Sequence, residues 1–125
     1  MFTEMKIIQK PWGSENLWAS CEKYAAKILH IKKGCKLSLQ FHEKKEESIL
    51  ILEGKMLLHH RLPSDDLHGP GRMEKTEMNP GDCFHITPGL THRFEALDSD
   101  VTVLEVSTPQ LDDVVRIEDD YGRTN

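Results

Sequence analysis

Long apolar runs are missing from this chain. No stretch approaches the roughly 18 apolar residues of a membrane-spanning helix, and the opening MFTEMKIIQKPWG lacks the apolar core of a secretory leader. Cysteine is scarce too: Cys21, Cys35 and Cys83 are an odd number with no C-x-x-C pair, which argues against a disulfide framework and for a reducing cytoplasm. There is no basic excess. Sixteen Lys and Arg stand against 21 Asp and Glu, a formal net charge of -5, with much of the acidity in the tail LDDVVRIEDDYG. That balance disfavours a nucleic-acid backbone and an anionic membrane as partners. It leaves a small phosphorylated substrate open, because a few local cations override a modest global charge. No long 3.6-residue stripe, internal repeat or low-complexity linker occurs, and 125 residues are enough for one core. The expectation is one domain over 1–125, with an N-terminal arm over 1–20, a barrel over 21–110 and a tail over 111–125.

What is present is alternation. KILHI, KLSLQFH, ESILILE, KMLLHH, DCFHIT, THRFEAL and VTVLEVS are short period-2 runs rich in β-branched and aromatic residues. Lys33-Gly34, Glu53-Gly54, Pro80-Gly81-Asp82 and Pro88-Gly89 punctuate them as turns. Short strands at such spacing predict an all-β sandwich or barrel. RLPSDDLHGPGR reads as a long surface loop within a hairpin.

Side chains alternate across a strand. In KLSLQFH, Leu37, Leu39 and Phe41 share one face, while Lys36, Ser38, Gln40 and His42 share the other. Taken alone, this is a surface strand with its polar side to water. The charged tip EKKE then leads into ESILILE, which brings Glu47 within reach of His42. Ile49 and Ile51 continue the Glu47 face, while Leu50 and Leu52 line the opposite one. A strand apolar on both faces is expected to be covered on both, so Glu47 points into a covered space where an unpaired carboxylate is costly. In THRFEAL, His92 shares a face with Phe94 and Ala96, as a satisfied core histidine would. Together with His42 and Glu47 it becomes a third donor from a distant strand, and the set fits a divalent-metal site with open positions.

These residues carry a family pattern. GCKLSLQFHEKKEESILILEG resembles the first cupin motif, with Gly34, His42, Glu47 and Gly54 in place and Gln40 where the first histidine usually stands. GDCFHITPGLTH resembles the second, ending at His92, with Thr87 for a usual proline and Ala96 for a closing asparagine. KPWGSENLW, LSLQFH, THRFEA and DDVVRIEDDYGR extend the likeness to the type II phosphomannose isomerase domain, often found at the C-terminus of mannose-1-phosphate guanylyltransferases. At 125 residues, no nucleotidyltransferase half is expected beside it.

The resemblance implies a single cupin barrel (a double-stranded β-helix or jelly roll) with a metal held by Gln40, His42, Glu47 and His92. Zinc is the first expectation, with manganese, nickel, cobalt or iron as alternatives. It implies interconversion of mannose 6-phosphate and fructose 6-phosphate, which moves a proton between C2 and C1 through an enediol. That chemistry needs an electrophile on the sugar oxygens, a base and phosphate-binding cations. A neutral amide donor leaves more Lewis acidity on the ion than an imidazole does. Lys36 and Ser38, on the Gln40 face, and Arg116, from the tail, are the substrate-binding candidates; the two cations could equally be solvated or charge-paired. His85 and Glu105 are the candidate bases, although the pattern does not fix which way either points. His30, His59, His60 and His68 read as surface residues. Trp12 and Trp18 read as packing an arm over the barrel, and a homodimer is expected. A non-catalytic metal- and sugar-binding cupin and a metal-dependent oxygenase are the competing functions.

Overall fold

The computed structural model describes residues 1–62 and 72–123. Its strands are β1 (Lys6–Lys10), β2 (Gly13–Ser20), β3 (Ala25–Ile31), β4 (Leu39–Phe41), β5 (Glu47–Glu53), β6 (Met56–Leu62), β7 (Arg72–Met78), β8 (Cys83–Ile86), β9 (His92–Ala96), β10 (Val101–Ser107) and β11 (Val115–Glu118). They form a six-stranded sheet ordered β1-β2-β3-β10-β5-β8 and a five-stranded sheet ordered β11-β4-β9-β6-β7. Every pairing is antiparallel. Among the described residues no helix is long and apolar enough to cross a membrane, which says nothing of strands.

The alternating runs bury the side chains their period selects. Leu29 and Ile31 of β3, Ile49 and Ile51 of β5, Val101 and Val103 of β10 fill one wall; Met56 and Leu58 of β6 and Phe94 and Ala96 of β9 fill the other. Trp12, 2 % exposed, closes the core at the β1–β2 turn. Trp18 does not join it: it is 44 % exposed on β2. Gly54 ends β5 with φ at 79°, and a Cβ there would collide with the Asp100 carbonyl, so the turn accepts only glycine.

Four details differ from the sequence reading. The strand expected over 36–42 shortens to Leu39–Phe41, with Lys36 bridging Glu95 in isolation. The face of β5 that carries Leu50 and Leu52 is not covered: Leu50 is half-buried and Leu52 is 42 % exposed. The N-terminal arm is a hairpin built into the edge of the first sheet. The tail adds β11 to the edge of the second, beside β4. Most of the long loop after β6, with His68, lies outside the described residues, although β6 and β7 pair on either side of it.

A candidate metal centre beside a cationic cleft

Paired positions in a sheet present their side chains to the same face. Arg116 pairs with Gln40, Gln40 with His92, and His92 with His60, so one row crosses β11, β4, β9 and β6. Glu47, first residue of β5, faces this row from the opposite sheet; its neighbour in register, Ile86, is fully buried. His42 follows β4 and completes the cluster. His42, Glu47 and His92 are 3 %, 3 % and 1 % exposed, and each offers one ligand atom within 4.8 Å of the others.

The hydrogen bonds fix what the rings present. His42 Nδ1 lies 2.6 Å from the Asp113 carbonyl and His92 Nδ1 lies 2.9 Å from the Leu90 carbonyl. A carbonyl only accepts, so each Nδ1 carries a hydrogen and a neutral ring holds its lone pair on Nε2. Both Nε2 atoms are buried without a hydrogen-bond partner, and both lie 3.4 Å from Glu47 Oε1. Two imidazole lone pairs aimed at one carboxylate oxygen repel unless a positive charge lies among them. Either the rings are protonated or a cation binds, and two imidazoles plus a carboxylate are a donor set that suits zinc and related divalent ions. Gln40 stands next to His92 in register, and its Oε1 accepts a 2.7 Å bond from Ser38 Oγ, which fixes the amide. His42, Glu47 and His92 therefore converge as a donor set that fits the ion, and Gln40 stands beside them in the sheet.

Lys45 is the residue the sequence reading missed. The EKKE tip looked solvated, yet Lys45 is 5 % exposed, with Nζ 3.1 Å from Glu47 and 3.7 Å from Glu105. The Asp113 carboxylate holds the turn in place by accepting the Glu43, Lys44 and Lys45 amides at 3.1, 2.7 and 2.8 Å. These amides, that of Lys44 foremost, keep the Asp113 carboxyl below its ordinary range. Burial alone would raise Glu47, but with protons on the two Nε2 atoms the imidazole edges, and after them the Lys45 ammonium, outweigh it and hold Glu47 well below the carboxylate range. Glu105 goes the other way: burial and then the Glu47 charge push it to about 8, against the pull of Lys45. Burial would also lower Lys45, but the Glu105 and Glu47 charges outweigh it and keep the ammonium charged.

Beyond this cluster a cleft of about 410 Å³ opens, lined by Lys10, Lys27, Lys45 and Arg116 together with Glu15, Gln40, His42 and Asp113. It is the size of a small-molecule site. At its inner end lies a chamber of about 50 Å³ that Ser38 and Glu105 also line. Lys27 pairs with Glu15 at 3.1 Å, whereas the Arg116 Nε is buried with no partner among the described residues.

The remaining candidates divide. Ser38, Arg116 and Glu105 reach the site. Lys36 does not line the cleft; its Nζ lies 3.7 Å from Asp120 in the tail. His85 pairs in register with Ser48, on the face of the sheet opposite Glu47, where it is exposed and bonded to Glu46. A base at His85 would be on the wrong side of the sheet. His60, read as a surface residue, is half-buried in the interior row, its ring 5.2 Å from Phe84. His30 is exposed, and His59 is half-buried against Glu95 at 2.8 Å. Cys21, Cys35 and Cys83 are free.

The profile of the family described as mannose-6-phosphate isomerase C-terminal matches residues 2–119. Among curated proteins, the xanthan biosynthesis protein XanB of Xanthomonas campestris is 27 % identical over 94 % of this chain and 24 % of its own length. The mannose-1-phosphate guanylyltransferase ManC of Salmonella typhimurium is 28 % identical over 93 % of this chain and 23 % of its own length. The chain thus spans about a quarter of each relative. Among solved structures, the capsular polysaccharide assembling protein CapF of Staphylococcus aureus aligns with a TM-score of 0.76 at 19 % identity, over 94 % of this chain and 32 % of that one. KdgF from Halomonas aligns at 0.67 and 20 % identity, over 88 % and 91 %. Oxalate decarboxylase from Bacillus subtilis aligns at 0.76 and 17 % identity, over 91 % and 30 %. At these identities the structures speak to fold alone, and the fold is the cupin one.

Proposed function

Since the chain belongs to the mannose-6-phosphate isomerase C-terminal family, we propose that it is a metal-dependent aldose–ketose isomerase acting on a phosphorylated sugar, mannose 6-phosphate and fructose 6-phosphate being the expected pair. The observation that carries this reading is the contiguity of two features. A buried His42–Glu47–His92 cluster with two unpartnered Nε2 atoms borders a cleft that offers Lys10 and the unpartnered Nε of Arg116.

His42, His92 and Glu47 would hold a divalent ion, with Gln40 as fourth donor; when bound, the ion supplies an electrophile for the sugar's O1 and O2. Ser38 acts through Gln40, holding its amide in one orientation. Arg116 and Lys10, which line the cleft, would take the phosphate, the guanidinium by paired hydrogen bonds. The isomerisation is redox-neutral overall: the C2 hydrogen leaves as a proton and one returns to C1, while O1 gains and O2 loses a proton. Glu105, on the inner wall beside Lys45, would be the carboxyl that carries that proton.

The test is metal analysis of the purified chain followed by a coupled assay with mannose 6-phosphate and other hexose phosphates, in zinc, manganese, cobalt, nickel or iron. Turnover with a divalent ion, lost on chelation, supports the isomerase. Sugar-phosphate binding without turnover under every metal makes it a binding cupin instead, and oxygen uptake with iron makes it an oxygenase.

A further inference from the structure

The metal cleft does not end at its mouth. Leu17 of β2 and Leu111 of the tail line it, and they equally line a second groove of about 790 Å³, so the two form one depression. β1 runs along it with one face, since every second residue of a strand points the same way. Lys10 and Ile8 stand in the cleft and Lys6 in the groove. Two aromatic rings also line the groove. The ladder between β2 and β3 slips by one residue after Leu17, which leaves Trp18 without a partner on β3. A bulge of this kind re-aims a side chain, and the Trp18 ring stands 44 % exposed on the groove. Tyr24 joins it, 56 % exposed, on a turn in which the Cys21 amide donates to the Tyr24 carbonyl at 3.0 Å.

The chemistry changes in a fixed order along this track. At the inner end, Lys10 and the buried, unpartnered Arg116 Nε suit phosphate oxygens. At the junction, Asp112 lines the cleft next to Leu111, with a carboxylate of the kind that accepts ribose hydroxyls. The Asp113 carboxylate beside it is already taken up by three turn amides. At the outer end, the faces of Trp18 and Tyr24 suit a planar ring. Lys6 adds donors for ring acceptors there, with Glu4 as the acid beside it. From Lys10 to Lys6 the strand advances about 13 Å, farther than a hexose phosphate reaches. Phosphate, pentose and base, laid end to end, follow the same order as the residues.

We propose that this track binds a nucleoside diphosphate, with the phosphates between Lys10 and Arg116, the ribose over Leu17 and Leu111, and the base stacked on Trp18 and Tyr24. The inference rests on reading the cleft as a phosphate site and adds a ligand longer than the isomerase substrate. Isothermal titration of the metal-loaded protein with adenosine, guanosine and uridine diphosphates tests it, beside inorganic pyrophosphate and free adenosine. Adenosine diphosphate should bind at least roughly tenfold more tightly than pyrophosphate or adenosine, because it alone engages both ends of the track. Trp18→Ala should weaken it by roughly tenfold or more and leave pyrophosphate unchanged. Trp18→Phe, which keeps a stacking face, should restore most of the affinity. The other two diphosphates should bind comparably, since stacking tolerates any base. Mannose 6-phosphate should displace all three, because it shares Lys10 and Arg116 with them. A nucleotide that binds no better than pyrophosphate, that ignores Trp18→Ala or that mannose 6-phosphate does not displace would overturn the proposal. If mannose 6-phosphate binds and the nucleotides do not, the subsite alone fails; if nothing binds, the phosphate reading of the cleft fails with it.

Discussion

Lys45 stands between Glu47 and Glu105 with almost no access to water, so its charge balances the Glu47 carboxylate and opposes the burial that raises Glu105. Replacing it with methionine keeps the volume and strands both acids. Removing one member of a buried ion network costs about 3–5 kcal/mol, and that is the expected loss for Lys45→Met in urea unfolding without metal. With zinc bound the loss should shrink, because the ion takes over the positive charge at Glu47. An equal loss with and without zinc would mean that Lys45 and the metal do not share that carboxylate. The ligands give a simpler test: Glu47→Gln and His92→Ala should each strip the metal while leaving the circular dichroism unchanged, and full occupancy in both variants would refute the site. Asp113→Ala acts at one remove. It frees the Glu43–Lys45 turn that leads out of His42, and a supporting residue of this kind is worth about 10–100-fold in metal affinity. Some of this site was legible in the sequence. The metal donors His42, Glu47 and His92 were found there; the inward side of Glu105 was not, because VTVLEVS is apolar on both faces and only the burial of Val101 and Val103 shows which one faces the core. Nor was Lys45, because a turn has no period and EKKE has the composition of a solvated tip.

Elements whose inner faces fill the core were readable because burial enforces alternation: β3, β5, β6, β9 and β10 match their apolar runs. The edge strands were not. β7, RMEKTEM, is exposed at every position but Met78, so neither face carries an apolar signal and its backbone ladder to β6 holds it. β11, VRIE, sits in an acidic tail and is held by contacts no spacing rule foresees. Arg93, buried in β9, donates to the Leu37 carbonyl at 2.8 Å and reaches Glu118 at 3.7 Å and Asp120 at 3.9 Å. The tail is then closed by Asp119, which accepts from the Arg123 amide at 2.6 Å and from its guanidinium at 2.9 and 3.0 Å. The Arg123 side-chain hydrogen bonds hold the Asp119 carboxyl below its ordinary value, against the smaller effect of burial. A carboxyl lowered on folding contributes stability that is complete above the unfolded value near 4 and is lost as pH falls through the folded one. The protection of the β11 amides, measured against their intrinsic exchange rates, should therefore fall below about pH 4, and Asp119→Asn should show that lost protection already at neutral pH. Slow β11 exchange in the Asn variant would show that the tail is held without this pair. At the turn after β5, Gly54→Ala forces a left-handed backbone on an L residue and drives its Cβ into the Asp100 carbonyl. We expect a loss of more than about 2 kcal/mol in urea unfolding with metal content unchanged; a neutral substitution would mean the β5–β6 turn rearranges freely.

At the scale of the molecule, the candidate ligands come from both sheets. Glu47 belongs to the first sheet, while Gln40 and His92 belong to the second, with His42 just past β4. An ion held by all of them would cross-link the two walls of the sandwich at the cleft end, while Trp12, Leu29 and Phe94 join them farther inside. Metal binding is thus coupled to global stability, since the unfolded chain has no assembled site. At a free zinc concentration about a thousand times the dissociation constant, binding contributes about 4 kcal/mol. For a chain of this size that corresponds to a rise in melting temperature on the order of 15 °C. The rise should be absent in His92→Ala, and exchange protection gained with zinc should appear in β5 and β9 together, because the linkage spans both sheets. If zinc-loaded and chelator-treated protein melt alike, the buried histidines and Glu47 are a structural imidazolium–carboxylate pair. In that case the pair, rather than an ion, joins the two sheets at the cleft end.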